Sequence, residues 1–190
     1  MKIQTYLIIL CSIFFASCSK DNKTVVPIIS ESLIQNIQKV NKLEIIDHHG
    51  NQYAIENNKG RLQLVNFFFI NCKTICPLMN DELNTLAENY PEINFLSFTI
   101  DPFNDTIDHL SKYHKQRNMS SNQVLLRTSQ ENLITISDYY LSSLKENDLE
   151  ILYHTSYVVL LDKQLRIRGL YDTLDTEDLK ILKSDIEALK

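Results

Sequence analysis

Continuous apolar runs alternate with helical patterns along most of the chain. Runs such as residues 62–69 and 93–100 are typical of strands that are buried on both faces. Strands are predicted over residues 62–69, 93–100, 123–127, 157–161 and 165–171, and helices are predicted after Pro77 and over residues 107–117, 131–141 and 177–190. This alternation predicts an α/β fold with a central sheet that is covered by helices on both faces.

Two hairpins extend this pattern. Residues 43–46 and 52–55 flank a turn sequence that contains His48, His49 and Gly50, so the two segments are predicted to pair and both histidines are expected to be exposed. A second turn precedes the last predicted strand. Together these elements match the plan of a thioredoxin-like fold, with a central mixed sheet flanked by helices and an added N-terminal hairpin.

The first residues have the pattern of a secretion signal. Lys2 precedes a mostly apolar run, residues 3–16, which is too short to span a bilayer comfortably and fits the core of a signal peptide. The run ends in Phe15-Ala16-Ser17-Cys18, which resembles a bacterial lipobox, although Phe15 stands where leucine is usual. The alternative is a plain secretory signal with an incidental Cys18.

This reading divides the chain into three parts. We expect a lipoprotein-type signal peptide in residues 1–17, a lipidated Cys18 with its tether in residues 18–42, and a folded domain in residues 43–190. The expected location is the bacterial cell envelope, where a lipid anchor would hold the domain at a membrane surface outside the cytoplasm.

Composition and charge narrow the functions of the domain. The formal net charge is −5 and no basic block is present, which argues against a nucleic-acid partner. The three glycines form no phosphate-binding loop, which argues against a nucleotide site. Of the four cysteines, Cys11 would leave with the signal and Cys18 would carry lipid, so Cys72 and Cys76 remain as free thiols. The compartment would permit these two to form a disulfide.

Cys72 and Cys76 lie where a predicted buried strand meets a predicted helix. Pro77 suits the first turn of that helix, and a thiol near a helix N-terminus is favoured in its thiolate form. Helical side chains four residues apart have Cβ atoms about 5–6 Å apart, whereas a disulfide needs about 3.8 Å. Two metal–sulfur bonds of about 2.3 Å can bridge a wider gap. The pair can therefore form a disulfide, hold a soft metal, or do both.

His154 is a candidate third ligand, at the start of a late predicted strand. If that strand lies near residues 62–69, its start would approach the cysteines. Two thiolates suit Cu(I), and an added imidazole widens the range towards Cu(II). Met79 is expected in the core, and His109 and His114 are spaced poorly for a shared site and are expected in solvent.

Three blocks of the sequence resemble the SCO/SenC family. They are Phe69-x-x-Cys72-x-x-x-Cys76-Pro77, then Phe98-Thr99-Ile100-Asp101-Pro102-x-x-Asp105-Thr106, and His154 before Val158-Val159-Leu160-Leu161-Asp162. Members of this family are membrane-tethered copper-binding proteins of thioredoxin-like fold, and they assist assembly of the dinuclear copper centre of cytochrome c oxidase. The resemblance covers about residues 43–190. It implies that Cys72, Cys76 and His154 are copper ligands and that Asp101 and Asp105 shape the loop near the site.

Two positions depart from the family pattern. Lys73 replaces the proline that often follows the first cysteine, and its charge could favour thiolates. Tyr153 stands where an aspartate usually precedes the histidine, so the imidazole lacks the acceptor that commonly orients such a ligand.

The leading interpretation is a copper metallochaperone that passes one copper ion to the copper-receiving subunit of a terminal oxidase. The second is a thiol–disulfide oxidoreductase in which Cys72 and Cys76 cycle between a dithiol and, in the oxidised copper-free form, a Cys72–Cys76 disulfide. Against a general oxidoreductase, no proline precedes residues 157–161, where thioredoxins carry a cis-proline. A peroxidase with one low-pKa cysteine is a weaker interpretation, because two cysteines this close suggest shared ligation.

Overall fold

The computed structural model describes residues 26–28, 39–141 and 156–190. The strands are β1 (Ile46–Asp47), β2 (Gln63–Phe68), β3 (Asn94–Thr99), β4 (Gln123–Arg127), β5 (Tyr157–Leu161) and β6 (Ile167–Asp172). The helices are α1 (Ile75–Asn89), α2 (Ile107–Gln116), α3 (Gln130–Leu141) and α4 (Thr176–Leu189), with a 3-10 helix at Ile55–Asn58. The strands form one mixed sheet in the order β1-β4-β3-β2-β5-β6. The predicted α/β fold with a central mixed sheet is confirmed.

The strand directions decide which loops come together. β2, β3 and β4 run parallel, whereas β5 is antiparallel to β2 and β6 is antiparallel to β5. The loops that follow β2, β3 and β4 therefore meet at one end of the sheet, which we call the carboxyl end. β6 runs in the same direction as β2 and starts at the opposite, amino end. Ligands of open α/β sheets bind at the carboxyl ends of the parallel strands.

Burial on both faces explains the continuous apolar run of β2. Val65 and Phe67 pack in one core with residues of α3, whereas Leu64 and Phe68 pack in the other with residues of α1 and α4. All six residues of β2 are buried. Full burial of one such apolar side chain contributes about 1.5–3 kcal/mol, so packing on both faces fixes this strand more firmly than local propensity does.

The predicted N-terminal hairpin is much reduced. Its ends meet where Tyr53 N donates to Ile45 O at 2.8 Å, and a single isolated bridge joins Ile46 to Gln52. The first arm instead pairs with β4, where Ile46 lies opposite Arg127, and the chain beyond the turn enters the 3-10 helix. The segment thus adds a short edge strand to the sheet.

The predicted signal peptide and Cys18 lie outside the described residues. Within the part of the chain that the structure describes, no helix has the length and apolar character needed to cross a bilayer.

Candidate metal centre

Cys72 and Cys76 lie on the connection between β2 and α1, at the carboxyl end of the sheet. The chain turns directly after β2, because Cys72 N donates to Phe69 O at 3.3 Å. α1 begins at Ile75, so Pro77 stands in its first turn as the sequence predicts. The missing N–H of proline costs nothing there. The connection, which we call the cysteine loop (residues 69–76), therefore holds both thiols beside a helix N-terminus.

The sulfur of Cys72 caps the start of α1. Cys76 N donates to Cys72 Sγ at 3.4 Å, whereas Thr74, at the N-cap position, makes no side-chain cap hydrogen bond. Thr74 Oγ1 lies 3.9 Å from the same sulfur. Unpaired N–H groups and the positive end of the helix dipole both stabilise an anion at this position. Both effects favour ionisation of Cys72.

The two thiols differ in exposure and acidity. Cys76 is 6% exposed and packs in the core with Phe68, while Cys72 is partly exposed. Burial raises the pKa of Cys76 to about 12, and its hydrogen bond with Cys72 adds to the rise. Burial also acts to raise the pKa of Cys72, but the hydrogen bonds from Cys76 and Thr74 outweigh it and lower that pKa to about 7. Cys72 is thus the first of the pair to ionise.

A buried carboxylate joins the cysteine loop to the loop after β3. Asp105 is 1% exposed, and its Oδ2 accepts from Ile70 N at 3.1 Å and from Thr99 Oγ1 at 2.5 Å. Burial raises the pKa of Asp105, against the effect of these two hydrogen bonds. Asp101 is tied to the same cluster, because its N–H donates to Thr99 Oγ1 at 3.1 Å. These contacts agree with the loop-shaping roles implied for both aspartates.

A polar groove of about 320 Å³ opens between the cysteine loop and α2. Asn71, Asn104, His109 and Tyr113 contribute to its lining. Asn104 is held in place by Asp101, whose carboxylate accepts from Asn104 Nδ2 at 2.9 Å. The groove gives the cysteine loop a polar flank at Ile70 and Asn71.

Tyr113 lies at the site, although the sequence does not distinguish it from the other residues of its predicted helix. Its ring packs against Phe68 with centroids 5.8 Å apart, and its hydroxyl accepts from Asn80 Nδ2 at 2.7 Å. In the sequence it is one member of a helical apolar stripe, and nothing there separates it from a core residue. Only the tertiary structure brings it to the wall of the groove.

The predicted third ligand, His154, lies outside the described residues. Within residues 39–141 and 156–190, no three His, Cys, Asp or Glu side chains form a group that could hold a metal ion. The chemistry of the two cysteines nevertheless fits a soft metal. Both are free thiols that share a hydrogen bond, and one has a pKa near neutrality. Such donors suit Cu(I).

The remaining predicted side chains fall into two groups. Met79 is fully buried, and Asn66 Nδ2 donates to its sulfur at 3.8 Å, so it lies in the core as expected. His109 is exposed, also as expected. The expected exposure of His48 is wrong, because this side chain is 4% exposed. His114, also expected in solvent, is half-buried, and its ring stacks on that of His48 with centroids 4.2 Å apart. β1 pairs with β4, and β4 packs against α2, so these two rings meet.

A model of the SCO1/SenC family matches residues 32–189 of the sequence. The chain belongs to the SCO1/SenC family. The matched region includes both the cysteine loop and position 154, so all three candidate ligands fall within the part of the chain that is shared by SCO1/SenC proteins.

Named relatives resemble parts of the chain. A SCO1 protein homolog of Bacillus subtilis (strain 168) is 38% identical over 69 residues, which cover 34% of this chain and 35% of that protein. A SCO2-like protein of Rickettsia typhi is 25% identical over 138 residues, which cover 67% of each chain. The chain thus matches between about a third and two thirds of these relatives' lengths.

Solved structures of SCO1/SenC proteins share the fold. A SCO1/SenC family lipoprotein from Bacillus anthracis is 24% identical with a TM-score of 0.65, over 77% of this chain and 91% of that one. BsSco, described as a member of the Sco family of cytochrome c oxidase assembly proteins and as having a disulfide switch, is 22% identical with a TM-score of 0.62, over 76% and 90%. Yeast Sco1 with copper bound is 23% identical with a TM-score of 0.57, over 74% and 88%.

Proposed function

We propose that this protein binds one copper ion as cargo through Cys72, Cys76 and His154 and delivers it to the copper-receiving subunit of a terminal oxidase. The observation that carries the proposal is the thiol pair at the start of α1, where Cys72 receives a helix N–H and has a pKa of about 7. The description of yeast Sco1 as copper-bound and of the Sco family as cytochrome c oxidase assembly proteins supports it.

The difference between the thiols suits uptake and release. The buried Cys76 would fix the ion to the core, while the partly exposed Cys72 could exchange places with a thiolate of the partner. Thiols bind metal as thiolates, so binding expels the protons that remain. Because the pKa of Cys76 is about 12, copper affinity is expected to rise with pH throughout the neutral range.

The register of β5 supports His154 as the third ligand. Val159 of β5 lies opposite Val65 of β2, and the two strands are antiparallel. The chain therefore enters β5 from the carboxyl end of the sheet, where the cysteine loop follows β2. His154 stands three positions before Tyr157, the first residue of β5.

We also propose that lipidation of Cys18 anchors the protein to a membrane of the bacterial cell envelope. The lipobox-like sequence before Cys18 and the similarity to the Bacillus anthracis lipoprotein support the anchor. The change Cys18→Ser should leave the protein unlipidated, so it should no longer float with membranes in a density gradient. Unchanged flotation of this variant would contradict the anchor.

Copper titration tests the ligand set. The reduced, copper-free protein is titrated anaerobically with Cu(I) and with Cu(II), as wild type and as His154→Ala. The wild type should bind one equivalent, and His154→Ala should bind Cu(II) at least about tenfold more weakly while retaining Cu(I) on its two thiolates. A wild type that binds neither ion would overturn the chaperone function.

His109 supplies the matched control, because this exposed histidine lines the groove beside the cysteine loop. His109→Ala should leave both titrations unchanged. If His109→Ala weakens Cu(II) binding and His154→Ala does not, the third ligand is assigned to the wrong histidine.

The asymmetry of the thiols also favours a second candidate function, reduction of a partner disulfide. The Cys72 thiolate would attack one sulfur of that disulfide and release the other as a thiol. Cys76 would then lose its proton and attack Cys72 Sγ, which forms the Cys72–Cys76 disulfide and transfers two electrons to the partner.

A disulfide-reductase assay tests this second function. The reduced, copper-free protein should reduce about one equivalent of insulin disulfide, and Cys76→Ser should instead accumulate the mixed disulfide on Cys72. Absence of any reduction would leave copper binding as the sole role of the pair.

A further inference from the structure

A short N-terminal segment, Val26 to Ile28, is docked on the domain through Arg168. The guanidinium donates from Nε to Pro27 O at 3.2 Å and from Nη2 to Val26 O. Its Nη1 donates to Asp162 Oδ2 at 2.8 Å. Val26 is 4% exposed, so burial of an apolar side chain accompanies these hydrogen bonds. We call Arg168 and Asp162 the clamp.

The clamp is held by the domain itself. Asp162 is 3% exposed, and its carboxylate accepts from Arg166 Nε at 2.7 Å and from Gln164 N at 2.9 Å as well as from Arg168. The Arg168 side chain is 10% exposed. Charge-assisted hydrogen bonds of a buried guanidinium fix its orientation, so its two remaining donor groups point at the segment in advance.

The clamp lies at the amino end of the sheet. Arg168 is the second residue of β6, next to Gly169, which lies opposite Leu160 of β5. Leu160 in turn lies opposite Leu64, near the start of β2. The cysteine loop begins beyond Phe68, so the length of β2, about 17 Å at about 3.3 Å per residue, separates the clamp from the thiols.

We propose that the clamp orients the domain on the membrane, with the amino end of the sheet towards the lipid surface and the cysteine loop directed away from it. The inference rests on the proposed lipidation of Cys18. Eight residue steps separate Cys18 from Val26, a reach of at most about 29 Å. Without the clamp, the first attachment to the described domain would lie at Lys39, 21 residue steps from Cys18, so the tether would contain more than twice as many residues. A short tether attached at one end of the domain keeps that end near the anchor.

This orientation presents the carboxyl end of the sheet to a protein partner. Phe103, in the loop after β3, is 89% exposed, and Leu78, in the first turn of α1, is 59% exposed. These apolar side chains stand at the same end as Cys72 and suit contact with a protein surface. Copper transfer would then occur on the side that faces away from the lipid.

Energy transfer to a membrane dye measures the orientation. A fluorescent non-canonical amino acid replaces either Gln164, exposed at the amino end, or Phe103, exposed at the carboxyl end. The lipidated full chain is placed in phosphatidylcholine vesicles that carry a headgroup acceptor. Transfer from position 164 should be at least about twofold more efficient than from position 103, given the separation of about 17 Å or more along the strands.

Three variants test whether the clamp causes the difference. Arg168→Gln should make transfer from the two positions nearly equal, whereas Arg166→Gln, which also removes a partner of Asp162 but does not touch the segment, should preserve the difference. A short Gly-Ser insertion between Lys23 and Thr24 leaves the clamp intact, lengthens the tether and should also reduce the difference.

The outcomes distinguish failure of the proposed orientation from failure of the lipid anchor and of copper binding. Equal transfer from both positions in vesicle-bound wild type overturns the orientation while the anchor stands. Failure of the wild type to join vesicles overturns the anchor, and the orientation falls with it. Neither result bears on copper binding, because the copper titration is carried out without vesicles.

Discussion

At the residue scale, the site depends on the different surroundings that the start of α1 gives to Cys72 and Cys76. Cys72 receives the Cys76 N–H from outside the helix, whereas Cys76 lies within the first turn with its side chain in the core. Burial opposes ionisation of both sulfurs, but only at Cys72 do hydrogen bonds to the sulfur outweigh it. The pair therefore combines one nucleophilic thiolate, Cys72, with one thiol that stays protonated at neutral pH, Cys76.

Alkylation should resolve the two thiols. The reaction rate of Cys72 with iodoacetamide should rise with pH to a plateau, with a midpoint near pH 7, because only the thiolate reacts. Cys76 should remain unmodified at pH 8, since burial raises its pKa to about 12. Mass spectrometry of the reduced, copper-free protein assigns the modified residue.

The controls are Cys72→Ser and Cys76→Ser. Cys72→Ser should abolish the rapid reaction. Cys76→Ser should keep it, because the helix N–H and a hydroxyl donor remain beside Cys72. Faster alkylation of Cys76 than of Cys72 would contradict the assignment of the thiolate.

The sequence predicts part of this chemistry. A buried run followed by two cysteines and Pro77 predicts thiols at a strand-to-helix connection, and the structure has them there. The difference in acidity between the two thiols could not be predicted, because it depends on which of the two side chains packs in the core with Phe68. Four-residue spacing does not specify that direction when the helix begins between the cysteines, at Ile75.

At the element scale, Asp105 links the segments that build the site. Its Oδ2 accepts from Ile70 N, in the cysteine loop, and from Thr99 Oγ1, at the end of β3. α2 begins two residues later, at Ile107. One buried oxygen thus couples the loops after two parallel strands.

Substitution of Asp105 should therefore disturb both stability and the cysteine loop. Asp105→Leu leaves Ile70 N and Thr99 Oγ1 without their acceptor, so the free energy of unfolding should fall by about 2–4 kcal/mol. The same change should alter the alkylation profile of Cys72, because the loop that presents its sulfur loses an anchor. Urea unfolding and the alkylation assay measure the two effects.

Asp105→Asn is the matched control. Both hydrogen bonds reach a single oxygen, and asparagine keeps one acceptor oxygen. It should cost less than half as much stability as Asp105→Leu and leave the Cys72 profile near that of the wild type. Equal effects of the two substitutions would show that charge, not the acceptor, is what the loop requires.

The elements themselves are the part that the sequence predicts best. The strand over residues 123–127 agrees with its prediction, because long apolar runs and helical stripes report burial directly. The N-terminal hairpin is shorter than the sequence predicts, for the converse reason. Turn residues predict a reversal at Gly50, but they do not show whether the two arms pair with each other or with a strand that is distant in sequence, here β4.

At the scale of the whole molecule, a stacked histidine pair connects the edge of the sheet to α2. His48 Nδ1 accepts from Leu125 N at 3.3 Å, and its ring stacks on His114 at an interplanar angle of 13°. The turn residues around His48 predict exposure, but pairing of β1 with β4 places the ring against His114 of α2. A local pattern could not reveal this, because Leu125 is 77 positions away along the chain.

This pair should make global stability depend on pH. Burial lowers the pKa of His48 from 6.5 to about 4, His114 and His49 act in the same direction, and Asp47 opposes them. The unfolded chain therefore takes up a proton at a higher pH than the folded protein does. The stabilising contribution is complete above about pH 6.5 and is lost as the pH falls towards about 4, by roughly 3 kcal/mol in total.

Urea unfolding between pH 8 and pH 4 measures this loss, and variants assign it. His48→Phe should be less stable at pH 8 by about 1–3 kcal/mol, because Leu125 N loses its acceptor. Its stability should then fall less steeply below pH 6.5 than that of the wild type. His49→Gln, a change at the exposed neighbour, should retain the wild-type slope. Parallel pH profiles of His48→Phe and the wild type would rule out His48 as the group responsible. A flatter profile for His48→Phe would identify the His48 imidazole as the source of the loss of stability in acid.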